Sequence, residues 1–113
     1  MIFLRRFGRQ WKAGRFGYTV GGYTSANSLV ADCTTFATQA TAALTSANLS
    51  LARRDLASFS DGARFGYTVG GYVAAASFVA DCTTFATQAT AALTSANLSL
   101  ARSGLASFSD YNV

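Results

Sequence analysis

The chain has 113 residues and a net charge of +4, with half of its residues apolar, 13% aromatic and only 12% charged. This composition excludes a disordered acidic or basic tail, and no apolar run approaches the roughly 20 residues of a membrane-spanning helix. The sequence contains no His, the commonest general base and metal ligand, so we expect neither an enzyme nor a metal or cofactor site.

The first 14 residues form a basic and aromatic arm without an acidic residue, whereas the body that follows is electrically neutral. A neutral body does not favour nucleic acid as a partner, and a basic arm is typical of docking to a partner surface. The alternatives are a solvated terminus and a shallow amphipathic contact with a membrane. The predicted docking residues are Phe3, Arg5, Arg6, Phe7, Arg9, Trp11 and Lys12.

Two near-identical units follow the arm, at 15–61 and 64–110, related by a period of 49 residues. Of their 47 aligned positions only six differ, namely 24, 25, 27, 29, 54 and 55 against their partners. A period of this length is typical of a propeller blade, in which one unit is a four-stranded sheet. Two units are too few to bury their own faces, so we expect the body, 15–113, to associate with copies of itself.

The elements within one unit are predicted mainly as strands. Alternation of bulky and small residues predicts a strand over Phe16–Val20, which a glycine pair terminates. Residues 29–36 and 56–60 are the next predicted strands, and the Asp61-Gly62 pair predicts a tight turn after the latter. Helix and strand both stay open for 41–51, because its apolar residues recur at helical spacing while its threonines favour sheet.

Each unit also carries a Cys beside an Asp, and a later Arg. Without His, none of these belongs to a nucleophilic site of the usual kind. We expect the Arg to hydrogen-bond backbone carbonyls of neighbouring loops, with a ligand carboxylate as the alternative. The Asp is predicted to cap a turn or strand edge, and the Cys to be a buried, unpaired thiol. These residues are Asp32, Cys33 and Arg53 in the first unit and Asp81, Cys82 and Arg102 in the second.

The order of these features resembles the kelch-type β-propeller repeat. From Arg53 the chain passes through a short strand, a strand ending in the double glycine Gly70-Gly71, a strand bearing Phe85, and the next Arg at position 102. It is similar in particular to the degenerate kelch-like repeats of tail-fibre and other virion structural proteins of bacteriophages, notably cyanophages. The resemblance implies an all-β fold with two four-stranded propeller blades per chain, and strand plus loop for 41–51.

The same resemblance implies that one blade is completed between chains. A blade would comprise residues 56–60, 65–71, 78–85 and a strand within 87–98. The first strand of a further blade, 105–109, would then pair with Phe16–Val20 of a neighbouring copy and satisfy its open backbone groups. Two blades per chain give a six-bladed ring by homotrimerisation, with an eight-bladed tetramer as the alternative. The residues of this inter-subunit pairing are Leu105, Ala106, Ser107, Phe108 and Ser109 from one chain and Phe16, Tyr18 and Val20 from the other.

In function, the resemblance implies a non-enzymatic structural component of a phage virion, in the tail, baseplate, fibre or capsid surface. Such a protein is synthesised in the host cytoplasm and would dock on other virion proteins through its arm. The alternative is a carbohydrate-binding, lectin-like oligomer for attachment to a host glycan. Aromatic rings with polar tips suit sugars, and Tyr23 and Tyr72, beside the double glycines, are the predicted glycan-binding residues.

Overall fold

The computed structural model describes residues 15–110, and their regular structure is antiparallel sheet with two short 3-10 turns. Three strands between residues 16 and 43 form one sheet and four strands between 57 and 92 form a second, each strand pairing with the next in sequence. The predicted all-β fold is therefore confirmed. The strands are β1 Phe16–Val20, β2 Ala31–Thr35, β3 Ala40–Ala43, β4 Ala57–Ser60, β5 Phe65–Val69, β6 Ala80–Thr84 and β7 Ala89–Ala92, and the turns are Thr45–Ala47 and Thr94–Ala96. Within 15–110, no helix has the length and apolar character that crossing a membrane requires.

Residues 41–51 comprise the end of strand β3, the 3-10 turn after it and irregular chain over 48–51, and form no α-helix. The hydroxyl oxygens of Thr34 and Thr41 lie 2.6 Å apart across β2 and β3, and those of Thr83 and Thr90 repeat this contact in the second sheet. Cross-strand pairs of this kind stabilise antiparallel sheet. The helical spacing of the apolar residues is thus overridden by pairing with a neighbouring strand.

A hairpin connection follows β4 where a turn was predicted, but it spans four residues, 61–64, and is longer than the tight turn expected; the carboxylate of Asp61 organises it. Its Oδ1 accepts hydrogen bonds from the amides of Ala63, Arg64 and Phe65 at 2.9, 2.7 and 3.0 Å. These amides, Phe65 foremost, hold the pKa of Asp61 below its ordinary value. The turn directs β5 back along β4, in the register Phe59 to Tyr67.

The sequence LASFSD occurs twice but forms a strand only once. At 56–61 it contains β4, which pairs with β5, whereas 105–110 has no strand partner among the described residues. Leu105 packs against the core, the Ser107 hydroxyl donates to the Ser58 carbonyl at 2.5 Å, and Phe108 is 95% exposed. The two copies differ because β5 follows 56–61 and offers it an edge to pair with, whereas no strand follows 105–110 within the described chain.

The core is built from small apolar side chains. Ala57, Val69 and Ala80, one from each of three adjacent strands, form a buried cluster in the four-stranded sheet. By contrast, the largest fully buried side chains of the described chain are those of Arg53 and Asp81. Polar contacts are therefore a large part of the interface between the two units.

Gly71 and Gly22 occupy equivalent positions, with φ of +101° and +107°, but differ in their surroundings. A Cβ at Gly71 would lie 2.7 Å from the Arg54 carbonyl oxygen, whereas one at Gly22 would meet nothing within 4 Å. Positive φ alone costs an L-residue about 1–3 kcal/mol. We expect Gly71→Ala to lower the free energy of unfolding by clearly more than Gly22→Ala, measured by urea unfolding in dilute solution. Equal losses would contradict the close approach at Gly71.

Candidate functional site

The two units meet at an interface centred on Arg53, which we call the repeat junction. The side chain of Arg53 is wholly buried and crosses from the first unit to the second. Its Nη1 donates to the carbonyl oxygens of Gly70 and Val79 at 2.9 and 2.6 Å, and its Nη2 donates to Asp81 Oδ2 at 2.8 Å. The prediction that this Arg binds neighbouring backbone carbonyls is confirmed for Arg53.

Asp81 is the acidic partner in the repeat junction, and the prediction that it caps a turn or strand edge is wrong. It lies inside β6, paired with Thr68 on one side and Ala92 on the other. Its two carboxylate oxygens also accept hydrogen bonds from the hydroxyl and the amide of Ser50, at 2.6 and 3.1 Å. Burial lowers the pKa of Arg53 and the Asp81 carboxylate opposes that effect. In a chain with so few charges, an Asp inside a predicted strand was the sequence feature that could have indicated this buried pair.

An aromatic contact forms the other half of the repeat junction. The ring of Tyr18 in β1 stacks on that of Phe85, with centroids 5.8 Å apart and planes 2° from parallel. Gln88 Nε2 donates to the Tyr18 hydroxyl at 3.2 Å, and the Ser46 hydroxyl donates to the Gln88 carbonyl at 2.7 Å. One face of the first unit thus packs on the β6–β7 turn of the second.

The contacts of the repeat junction described above join a rear face of the first unit to a front face of the second. The rear face consists of Tyr18, Ser46, Ser50 and Arg53, and the front face of Gly70, Val79, Asp81, Phe85 and Gln88. The period of 49 places identical residues on the outer sides of the two units. The second unit therefore has its own rear face (Tyr67, Ser95, Ser99 and Arg102), and the first unit its own front face (Gly21, Val30, Asp32, Phe36 and Gln39).

These outer faces are open where their internal counterparts are covered. Arg102 is exposed although Arg53 is 0% exposed, and Asp32 is half-buried where Asp81 is buried. On the front face of the first unit, Phe36 is 52% exposed. The described chain therefore presents both halves of its own repeat junction to solvent, one at each end.

The outer edge of β1 is a second open feature at the same end. Strand β1 pairs only with β2 within the described chain, and the Phe36 amide donates to the Arg15 carbonyl. Because antiparallel hydrogen bonds alternate along a strand, the N–H and C=O groups of Phe16, Tyr18 and Val20 point away from β2. A groove of about 950 Å³ lies along this edge, and it is also lined by Ser58, Phe59 and Ser60 of β4 and by the chain's own residues 107–109.

Tyr23 and Tyr72, the predicted glycan-binding residues, are brought together by Arg54. The guanidinium carbon of Arg54 lies 4.7 Å from the centroid of each ring, a distance typical of cation–π contacts. Tyr72 also exchanges two backbone hydrogen bonds with Arg54, at 2.7 and 3.1 Å. One face of each ring is therefore already occupied by a cation of the same chain.

Of the remaining predicted positions, Cys33 contacts the repeat junction, because Gln88 Nε2 donates to its Sγ at 3.8 Å. Cys33 and Cys82 are free thiols, half-buried rather than buried, and burial followed by the charge of Asp61 raises the pKa of Cys82. The predicted docking residues Phe3, Arg5, Arg6, Phe7, Arg9, Trp11 and Lys12 lie outside the described residues.

We expect Asp81→Asn to lower the free energy of unfolding by about 3–5 kcal/mol, since it leaves the Arg53 charge buried without a counter-ion. Urea unfolding measures the change. Asp55→Asn is the matched control, because Asp55 is exposed and lies 3.9 Å from its Arg54 partner, and exposed pairs contribute little. Similar behaviour of the two variants would show that the buried pair does not join the units.

No protein-family model matches this sequence, and a search of curated proteins finds no match either. The resemblance to kelch-like phage repeats therefore stays a prediction, supported by the residues quoted for it.

Proposed function

We propose that the chain is a non-enzymatic structural subunit that assembles head to tail with copies of itself and belongs to a phage virion. The observation that supports the assembly is the complementarity of its two exposed ends, each of which matches one side of the repeat junction. The virion assignment, in the tail, baseplate, fibre or capsid surface, rests on the resemblance to kelch-like phage repeats. Fold analogy alone is a weak guide to function, so the main support for a structural role is the complementarity of the two exposed ends.

Strand addition provides the first part of the proposed contact. Strand β4 pairs with β5 so that Ala57 lies opposite Val69 and Phe59 opposite Tyr67. Because both sequences recur 49 residues away, the same register would place Ala106 opposite Val20 and Phe108 opposite Tyr18 of a neighbouring copy. Phe59 stacks on Tyr67 with ring centroids 5.1 Å apart. The exposed Phe108 would take the equivalent place on Tyr18 of the neighbour.

The groove beside β1 has the position that an added strand requires. Within the chain, Ser107 of one LASFSD segment donates to the Ser58 carbonyl of the preceding one. If Ser58 contacts a neighbour's strand as Ser107 contacts Ser58, the neighbour's 105–109 would lie between the edge of β1 and Ser58, which both line this groove. The chain's own residues 7–12, FGRQWK, are the competing occupant. They match LASFSD at no position and have Gln10 where the aromatic ring is needed.

Head-to-tail contacts repeat from copy to copy. They close into a ring when the rotation per copy permits and otherwise give an open filament. With each four-stranded sheet as one propeller blade, three copies would complete a six-bladed ring, which we propose as the assembly; four copies would give eight blades. In either ring every β1 edge receives a strand, which removes an open edge that invites uncontrolled association.

A lectin-like role is the second function considered from the sequence. Sugar stacking requires free aromatic faces, and Arg54 occupies one face of both Tyr23 and Tyr72. This contact favours the structural role.

We expect the wild-type chain to have the native mass of a trimer and Ala106→Pro to be a monomer. The Asp61 amide donates to the Phe65 carbonyl, so alternation makes Phe59–Tyr67 and Ala57–Val69 the hydrogen-bonded pairs. By the period of 49, the Ala106 amide would point at the neighbour, and proline lacks that amide. Ser109→Pro is the matched control, because the Ser109 amide would point away. Native mass spectrometry distinguishes these outcomes; a monomeric wild type, or loss of assembly in both variants, would contradict strand addition.

Deletion of residues 1–14 tests the proposed docking arm. We expect the truncated chain to keep its native oligomeric mass, because the arm contributes no strand to the proposed contact. We also expect it to be lost from purified phage particles, because the aromatic and basic anchor is gone. Immunoblotting of particles and native mass spectrometry measure the two effects. Incorporation at the wild-type level would contradict docking through the arm.

A further inference from the structure

We propose that a buried ion pair forms between chains, joining Arg102 of one copy to Asp32 of the next. The inference rests on the proposed head-to-tail assembly and assigns a polar site within it. Arg102 would also donate to the Gly21 and Val30 carbonyls of the next copy, and Ser99 would donate to the same Asp32. Each of these residues is the 49-residue counterpart of one in the contact between Arg53 and Asp81.

The accepting side of this site is already formed in the first unit. The Gly21 amide donates to the Val30 carbonyl at 2.9 Å, as the Gly70 amide does to the Val79 carbonyl. The φ angles of Gly21 and Gly70 are also close, at +72° and +69°. A carbonyl oxygen has two lone pairs, and Val79 uses its second one for Arg53. Val30 therefore has the same acceptor available for an arginine from another chain.

The donating side is equally well placed. The Arg102 amide donates to the Ser77 carbonyl at 3.1 Å, and the Arg102 carbonyl accepts from Gly71 at 2.9 Å. Arg53 makes the corresponding bonds with Ser28 and Gly22 at the same distances. The backbone of Arg102 is thus held as that of Arg53 is, while its side chain is exposed. What differs is the presence of an accepting unit beyond it.

The unpaired charges of the described chain also support a head-to-tail contact between two copies. Three ion pairs form within 15–110, namely Arg53–Asp81, Arg54–Asp55 and Arg64–Asp61. The charged side chains left over in that range are Arg15, Asp32, Arg102 and Asp110. The step that joins Arg102 to Asp32 also brings Asp110 to Arg15, the counterparts of Asp61 and Arg64. A single head-to-tail step would therefore pair every charge left over in 15–110.

Such a pair would fix the register of the added strand. A buried charge without its partner is strongly unfavourable, so a strand that slipped along β1 would leave Asp32 or Arg102 desolvated and unpaired. Backbone pairing and the Phe108 ring alone do not impose that penalty. The ion pair thus selects a second copy of this chain over an unrelated β-strand.

Two single variants, Arg102→Met and Asp32→Asn, test the site in the full-length chain. Each removes one partner, and we expect association to weaken by ~100-fold or more, as measured by analytical ultracentrifugation. Circular dichroism should be unchanged, because the Arg53–Asp81 pair within the chain is untouched. Arg64→Met is the control, since this exposed Arg belongs to the internal set of pairs. We expect its association to equal that of the wild type.

Mixing the two variants gives a sharper test. Arg102→Met keeps an intact front face and Asp32→Asn an intact rear face, so one good contact forms between them. We expect heterodimers in the mixture, monomers from the double variant, and no larger ring. Wild-type-like assembly of both single variants, or full rings in the mixture, would overturn the ion pair while leaving strand addition standing. A monomeric wild-type chain would instead overturn the proposed assembly itself.

Discussion

The contact between Arg53 and Asp81 determines how the two units are placed relative to each other. Desolvating two charges costs several kcal/mol per ion, and this cost is offset only when the surrounding donors and acceptors match. Here both terminal guanidinium nitrogens and both carboxylate oxygens have partners, whereas the buried Arg53 Nε has none within the described chain. Because most of the buried apolar side chains of the described chain are alanines, apolar packing alone would specify the arrangement less sharply.

Because the two units are nearly identical, the contact between Arg53 and Asp81 also bears on assembly. Each unit carries both halves of the repeat junction, so a chain with one internal junction necessarily exposes a matching half at each end. The open edge of β1 and the exposed Phe108 line the same groove of the described chain. The proposed self-association would cover both of these exposed halves.

The positions at which the units differ distinguish the internal junction from the proposed one between chains. Arg54 lies over two tyrosine rings, but its counterpart is Ser103, which has no cation. Asn27 donates to the Val73 carbonyl at 2.6 Å, and its counterpart is Ala76. The internal junction thus has two contacts that the proposed junction between chains would lack. These two sequence differences therefore lie where the contact within the chain and the proposed contact between copies would differ.

Local patterns in the sequence determined the two units, the strand over Phe16–Val20 and the turn at Asp61, because alternation and turn chemistry act between near neighbours. The tertiary structure decided what depends on distant partners. Residues 41–51 became strand and turn because Thr41 meets Thr34 across the sheet, and Asp81 became a junction residue because Arg53 reaches it from another unit. LASFSD forms a strand at 56–61 and none at 105–110, since a strand needs an edge that its own residues cannot provide.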